Sequence, residues 1–543
     1  MCWMTARWLQ PCARADRRDG RMTLSRRNLI HLVGKVGGVA AAYHTMAAMG
    51  LLPVPEAYAG PPALPPGKGR KIVIIGAGIA GMVLARELRK AGYAPLVLEA
   101  RTRPGGRNWS LRAGDEVRET NSVQRVDWDR GEHMYFNPGP ARLPYHHQGI
   151  LSYCRELAVP LEVMCNDNRG ALMQSDASFD GKRQLNRQVE NDIRGYVAEL
   201  AAKTIDSDAL NQMVGTEDKE RMRAMLRSFG ALDRDMTYRG SGRTGYSVPP
   251  GGGTQAGTLS QPLELPRILA SDFWQYETNF GEGWNQAATM MQPVGGMGRI
   301  GEAFGRALHG TISYGTEVTA LHRSGDGARV VWRDAQAGRE HATETPLVVI
   351  TVPLPVLRNI TADFSPDIRA AIAAVDSVAA GKVAFQAERR FWELDDAIYG
   401  GISWTSRDIT QIWYPSSGIH ENKAVLVGAY IWSDDVGQKF ASKSPALRVA
   451  DAFDDGERLH PGYRRYLTKG VSVAWKNIPY SGAAWAEWSR DVRAKYYGPL
   501  LHGDGPFLFA GEHMSYINGW QEGAVRSAHY TLGDIAQRIR EAG

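Results

Sequence analysis

Residues 71–81 read KIVIIGAGIAG, and no other stretch restricts the fold of this chain as strongly. Ile72 to Ile75 form an apolar run of the kind carried by strands buried on both faces. Gly76, Gly78 and Gly81 follow in GxGxxG spacing, Met82 to Arg89 continue as a helix, Leu96 to Leu98 form a second strand, and Glu99 ends it. This predicts a βαβ unit that binds a dinucleotide. Gly76 allows a tight turn, Gly78 lets the backbone approach a pyrophosphate, and Gly81 lets helix and strand pack closely. The helix N-terminus then faces the phosphates, with Ala80 in its first turn. Glu99 stands where a carboxylate accepts hydrogen bonds from ribose hydroxyls. The following ARTRPGGRNWS, residues 100–110, reads either as a Gly-rich surface turn or as a second cofactor segment. In the second case Ala100, Arg101 and Gly106 approach the cofactor and Arg107 reaches its phosphates.

The chain has 543 residues, which predicts two or three domains. Its net charge of +6 suggests a basic protein, but residues 1–59 hold eight Lys/Arg against three Asp/Glu, so the remainder carries only +1. The basic character therefore gives no support for a nucleic-acid or membrane-surface partner. Within that stretch, Ser25-Arg26-Arg27-Asn28-Leu29-Ile30 resembles a twin-arginine export signal. A weakly apolar run to Leu52 follows, interrupted by Lys35 and His44, and then Ala57-Tyr58-Ala59, a small-x-small cleavage site. The expectation is export to the periplasm or beyond, with no stable membrane span after the signal is removed. Met22 is an alternative start. Of four cysteines, Cys2 and Cys12 leave with the signal. Cys154 sits in the stripe Ile150, Leu151, Cys154, Leu157 of a predicted helix, which suits a buried thiol, while a Cys154–Cys165 disulfide stays open. No CxxC pair or His/Cys cluster points to a metal.

Further along, residues 183–235 are charged and helix-prone, 239–261 read as a loop, and 290–308 as a loop opening a helix with Phe304 and Leu308 on its buried side. Tyr314 to Leu321 and Leu347 to Val352 read as strands, and the chain closes as strand, loop and helix. The octapeptide NPGPARLP at 137–144 sets Arg142 in a stiff Pro/Gly loop. It reads as a surface arginine or as an anion clamp, since a guanidinium grips a carboxylate through two parallel hydrogen bonds.

In order and spacing, VIIGAGIAGMVLA, LEARTRPGGR, PGPARLP, QPVGGMGRI, ITVPLPVL, GKVAF followed by RRFW, and FAGEHMSYINGWQEGA resemble the flavin amine oxidase family. The likeness is to its bacterial FAD-dependent L-amino acid oxidase branch and runs over about residues 68–540. The resemblance implies an α/β fold with a discontinuous Rossmann-type FAD-binding domain, a mixed-sheet substrate-binding domain and a helical subdomain. The implied division is a signal segment at 1–59, FAD-binding parts at 60–124, 289–375 and 501–543, substrate-binding parts at 125–181 and 376–500, and the helical subdomain at 182–288. It implies that Gly511 and Glu512 meet the ribityl–phosphate region, that the backbone of Val318 meets the adenine, and that Trp520 begins the helix facing the flavin. It also makes Arg142 the carboxylate clamp, Tyr430 a second donor to that carboxylate, Gly519 a carbonyl acceptor for the amine, Trp520 a wall of the amine site, and Lys382 a lysine bound through water to flavin N5. No cysteine lies near the C-terminal flavin segment, so FAD is expected to be noncovalent.

The implied reaction is oxidation of an L-amino acid by dioxygen to a 2-oxo acid, ammonia and hydrogen peroxide. Amine or polyamine oxidation, or monooxygenation of an amino acid, are the alternatives. Trp413, Trp432, Trp485 and Trp488 are candidate walls for a large apolar or aromatic side chain, and Glu487 for a cationic one. Relatives by analogy suggest a homodimer.

Overall fold

A computed structural model describes residues 58–205 and 215–541. The twin-arginine stretch, Cys2 and Cys12 lie outside the described residues.

The first βαβ unit forms where the apolar run predicts it: β1 (Lys71–Ile75), α1 (Ile79–Lys90) and β2 (Ala94–Glu99). Three distant strands join it, β3 (Ile312–Tyr314), β4 (Val348–Ile350) and β5 (Phe507–Phe509). All pairings are parallel, in the order β3-β2-β1-β4-β5. A parallel sheet must be covered on both faces. Ile72 and Ile74 pack against α1 and against α2 (Gln521–Glu541), beside Val83, Val525 and Leu532. Val73 and Ile75 point the other way, into a cluster with Leu321, Phe364 and Leu500. Each such side chain contributes about 1.5–3 kcal/mol when fully buried.

One sequence expectation fails here. Tyr314 to Leu321 is not one strand, because Gly315 has φ +69° and turns the chain between two sheets. Residues before it finish β3, and Thr316–Ser324 starts a separate four-stranded sheet. The 239–261 loop also contains a short hairpin, Tyr246–Val248 with Thr258–Leu259, whose residues are all exposed and so leave no alternating pattern to read.

The second large sheet has seven strands and mixed direction. Its order is Leu467–Ala474, Gly381–Ala387, Ala424–Ile431, Gln411–Tyr414, Gly401–Thr405, Leu172–Gln174 and Gln184–Leu185. Only Gly401–Thr405 with Leu172–Gln174 is parallel. Every residue of Gly381–Ala387 is buried, which forces Lys382 into the interior. A three-stranded sheet locks the Pro-rich loop, since Leu143 and Pro144 pair with Met291 and Met290. Helices Asn186–Thr204 and Thr216–Gly230 close a small core of Ala198, Leu226, Leu232 and Tyr238. Among the described residues no helix is long and apolar enough to cross a membrane.

Candidate active site

A cavity of about 500 Å³ runs along the C-terminal ends of β1 and β2 to the start of α2. Gly76, Gly78, Ala80, Glu99, Ala100, Arg101, Gly106, Arg107, Val318, Gly511, Glu512, Gly519 and Trp520 all line it. Gly81 does not, and its role is packing: a Cβ there would stand 2.0 Å from the Gly76 carbonyl oxygen. Gly76 itself takes φ +100°, which L side chains resist. No atom lies within 4 Å of where a Cβ on Gly78 would be, so that backbone is open to a ligand. Helix α1 has no side-chain cap and no acid in its first turn, which leaves its N–H groups and positive end to an anion. These features fit a dinucleotide pyrophosphate.

The charged groups at this end are already tied. Glu99 is buried, and its two oxygens accept the N–H of Ala77 at 2.7 Å and of Arg101 at 2.8 Å. Each oxygen keeps a second lone pair for a hydroxyl. Arg101 donates Nη2 to the Pro479 carbonyl and to Ser481 Oγ at 2.6 and 2.9 Å, and burial pushes its pKa down while Glu99 opposes the shift. Arg107 commits Nη1 to the Ala484 carbonyl at 2.6 Å and to Glu512 Oε1 at 3.0 Å. Glu512 also accepts the N–H of Ala486 at 3.2 Å and of Gly519 at 2.9 Å. Its carboxylate thus ties Arg107 and Ala486, from two other segments, to the Gly519 turn beside it.

Arg142, Lys382 and Tyr430 lie outside that lining, beyond Trp520, and their surroundings are built differently. The NPGPARLP loop offers three consecutive carbonyls to side-chain donors. Lys382 Nζ donates to Asn137 O at 3.0 Å and to Gly139 O at 2.7 Å, and Trp475 Nε1 donates to Pro138 O at 2.8 Å. Arg142 leaves the same loop into a box of rings, with Cζ 4.7 Å from the Trp413 centroid, 5.4 Å from Phe280 and 5.6 Å from Trp520. Its Nη1 is buried without a hydrogen-bond partner, and none of the ion pairs among the described residues involves it. Burial pushes its pKa down to about 10, which leaves it cationic at neutral pH. Lys382 is 2% exposed and lies 4.5 Å from the Tyr430 ring and 5.3 Å from Trp413. Burial first, and then the Arg142 charge, push its pKa down to about 7. Tyr430 meets Trp413 edge-on at 5.2 Å, and burial raises the pKa of its phenol against the opposing Arg142 charge. Trp520 joins the two regions, because it lines the cavity and its ring lies 5.6 Å from the Arg142 guanidinium.

Of the proposed walls, Trp413 borders Arg142, Trp432 lies 5.4 Å from Tyr276, and Trp485 lies 3.6 Å from the position of a Cβ on Gly519. Two readings are corrected. Trp488 is buried elsewhere, its Nε1 held by the His513 carbonyl at 2.8 Å, and Glu487 is exposed on a strand paired with Asp376–Val378. The pairing left open is also answered: Cys154 and Cys165 are both free, and Cys154 is the buried thiol that its apolar stripe suits. Sequence reasoning missed Phe280, Tyr276 and Asn108. The first two sit at a short 3-10 turn, Glu277–Glu282, where no periodicity marks a buried face.

The model of the family described as flavin containing amine oxidoreductase matches residues 79–531. An L-amino-acid oxidase of Siganus canaliculatus is 27% identical over 475 residues, covering 84% of this chain and 83% of that protein. A flavin-dependent L-tryptophan oxidase of Lentzea aerocolonigenes is 28% identical over 483 residues, covering 84% of this chain and 96% of that protein. Among solved structures, the cyclohexylamine oxidase of Brevibacterium oxydans superposes with a TM-score of 0.58 at 16% identity, over 87% of this chain and 100% of that one. A putrescine oxidase variant gives 0.56 at 17% identity, over 86% of this chain and 99% of that one. At such identities these two structures establish the shared fold.

Proposed function

We propose, since this chain belongs to the flavin containing amine oxidoreductase family, that it oxidises L-amino acids at the α-carbon, with FAD as cofactor and dioxygen as electron acceptor. The observation that carries this reading is Arg142, half-buried, its Nη1 fully buried and without a carboxylate partner among the described residues, beside the end of the cofactor cavity. An amine without a carboxylate gives that group no partner, and a cationic polyamine would be repelled by it. Relatives named as L-amino-acid oxidases, one for L-tryptophan, support the same substrate class.

In this reading the bound FAD supplies the two-electron acceptor at its N5 and the route of those electrons to dioxygen, as hydrogen peroxide. Gly76, Gly78 and the start of α1 hold its pyrophosphate, Glu99 its ribose, and the backbone of Val318 its adenine. Cys154 and Cys165 lie outside the cavity lining, which favours noncovalent binding. Arg142 and the Tyr430 hydroxyl grip the substrate carboxylate, the Gly519 carbonyl receives its amine, and Trp520 walls that side. This fixes the α-hydrogen in one direction. The amine must be neutral, because its lone pair becomes the C=N bond when the α-hydrogen leaves with its electron pair. Lys382, with a pKa near neutrality, exchanges a proton at Nζ and orders water for hydrolysis of the imino acid to a 2-oxo acid and ammonia. The ring-lined box of Trp413, Phe280, Tyr276 and Trp432 favours large apolar or aromatic side chains.

The division into three FAD-binding parts, two substrate-binding parts and a helical subdomain belongs to the same proposal, as does twin-arginine export to a periplasmic or secreted location. Export is supported by the Arg26-Arg27 segment, and assembly as a homodimer by the family likeness alone. The test is to present purified protein with the twenty L-amino acids and matched amines and to follow peroxide, ammonia and flavin bleaching. Phenylalanine turned over far faster than phenethylamine supports the reading; equal rates sink it.

A further inference from the structure

We infer that Asn108 is a cofactor-holding residue whose Nδ2 donates a hydrogen bond to an uncharged oxygen on the flavin half of bound FAD, an inference that rests on the FAD reading above. Asn108 lines the cavity, yet is only 3% exposed. Its carboxamide is satisfied on one side only. Oδ1 accepts a hydrogen bond from Gln521 Nε2 at 2.8 Å, while Nδ2 is buried without a hydrogen-bond partner among the described residues. A buried amide donor left unmatched loses its water without compensation, so this one calls for an acceptor within the cavity.

Its place in the fold says which half of the cofactor supplies that acceptor. The Asn108 N–H closes a turn onto Gly105 O at 2.9 Å, and Gly105 is bridged to Gly78 in the phosphate turn. The carboxamide therefore starts just past the pyrophosphate glycines. Gln521, which holds it, opens α2 directly after Trp520, whose indole is 5.6 Å from the Arg142 guanidinium. The carboxamide is thereby tied to the substrate end, away from the adenosine side that Glu99 marks. Ribityl hydroxyls and the ring carbonyls are the uncharged oxygens of that half. No covalent step is involved; the gain is one hydrogen bond made on cofactor binding.

The experiment compares Asn108→Asp and Asn108→Ala with wild type. FAD is stripped and titrated back by quenching of its fluorescence, the apoproteins are melted to verify folding, and the midpoint potential of each reloaded protein is measured. Asp keeps the size and offers an oxygen in place of the donor, so FAD binding is expected to weaken about tenfold or more, and with Ala by less. A lower midpoint potential together with weaker binding assigns the acceptor to a ring carbonyl. Weaker binding at an unchanged potential assigns it to the ribityl chain, and both results sustain the inference. Wild-type affinity in Asn108→Asp, or a larger loss in Ala than in Asp, overturns it, since the residue would then only fill space. If Asn108→Asp does not melt cooperatively, Asn108→Ala decides: at least about threefold weaker binding with an unchanged apoprotein melt sustains the role, and equal affinity removes it. Wild-type apoprotein that takes up no FAD overturns the cofactor assignment itself and this inference with it.

Discussion

The cofactor cavity and the ring-lined box beside it follow opposite electrostatic rules. At the nucleotide end the charges have partners: Glu99 holds two backbone N–H groups, and Arg107 is paired with Glu512. At the substrate end Arg142 and Lys382 stand among Trp413, Tyr430, Phe280 and Trp520, with no carboxylate among their partners. A cofactor that stays bound is served by a rigid, already satisfied frame. A substrate that comes and goes needs its counter-charge left open, because a resident carboxylate would compete with the incoming one. Burial and, after it, the Arg142 charge both disfavour a second cation, and the cost falls on the group that can lose its proton, Lys382.

The most severe way to break the nucleotide end is Gly81→Val. Its side chain would drive into the Gly76 carbonyl, and a loss of about 4 kcal/mol or more is expected, read as colourless, flavin-free or insoluble protein. At the substrate end, Arg142→Ala should lower kcat/KM for phenylalanine by about a thousandfold, near 4 kcal/mol, while the flavin absorbance stays. If both the flavin and the amino-acid activity survive unchanged, the contrast between the two ends is false. Glu512→Gln frees the Arg107 charge and weakens the clasp on Ala486 and Gly519, so FAD should bind about ten- to a hundredfold less tightly, measured by equilibrium titration.

Lys382→Met sharpens the comparison through pH. The folded pKa of about 7 lies below the unfolded value of roughly 10.4. Between those two values the unfolded chain binds more protons, so this residue makes stability rise with pH across that window. The Met variant should lose that dependence, melt higher near pH 7, and lose a kinetic limb near pH 7 together with about tenfold in turnover. A carboxylate inhibitor bound at Arg142 should in turn move the wild-type limb upward. The smallest effect is expected at Cys165→Ser, within about 0.5 kcal/mol, because no disulfide is broken, and added reductant should leave the wild-type melt unchanged.

Legibility differed between the same two ends. β1, α1 and β2 were readable to within a few residues, because burial on both faces and a tight turn impose an apolar run and fixed glycines. Arg142 and Lys382 were nameable through motif likeness, but their loneliness was not. The paired state of Arg107 was hidden as well, since its partner lies 405 residues away in the chain. Glu487 and Trp488 show the reverse error. Two neighbours on one short segment, one exposed and the other buried under His513, were both read as walls because aromatic and acidic composition carries no direction.

By itself the sequence determined the dinucleotide turn, the family likeness and the stiffness of the loop that carries Arg142, because these depend on backbone sterics and local spacing. Only the tertiary structure decided which charges are paired. Coulomb and desolvation energies depend on distance in space and on neighbouring dielectric, and Phe280, Trp413 and Trp520 reach Arg142 from segments that chain order keeps far apart.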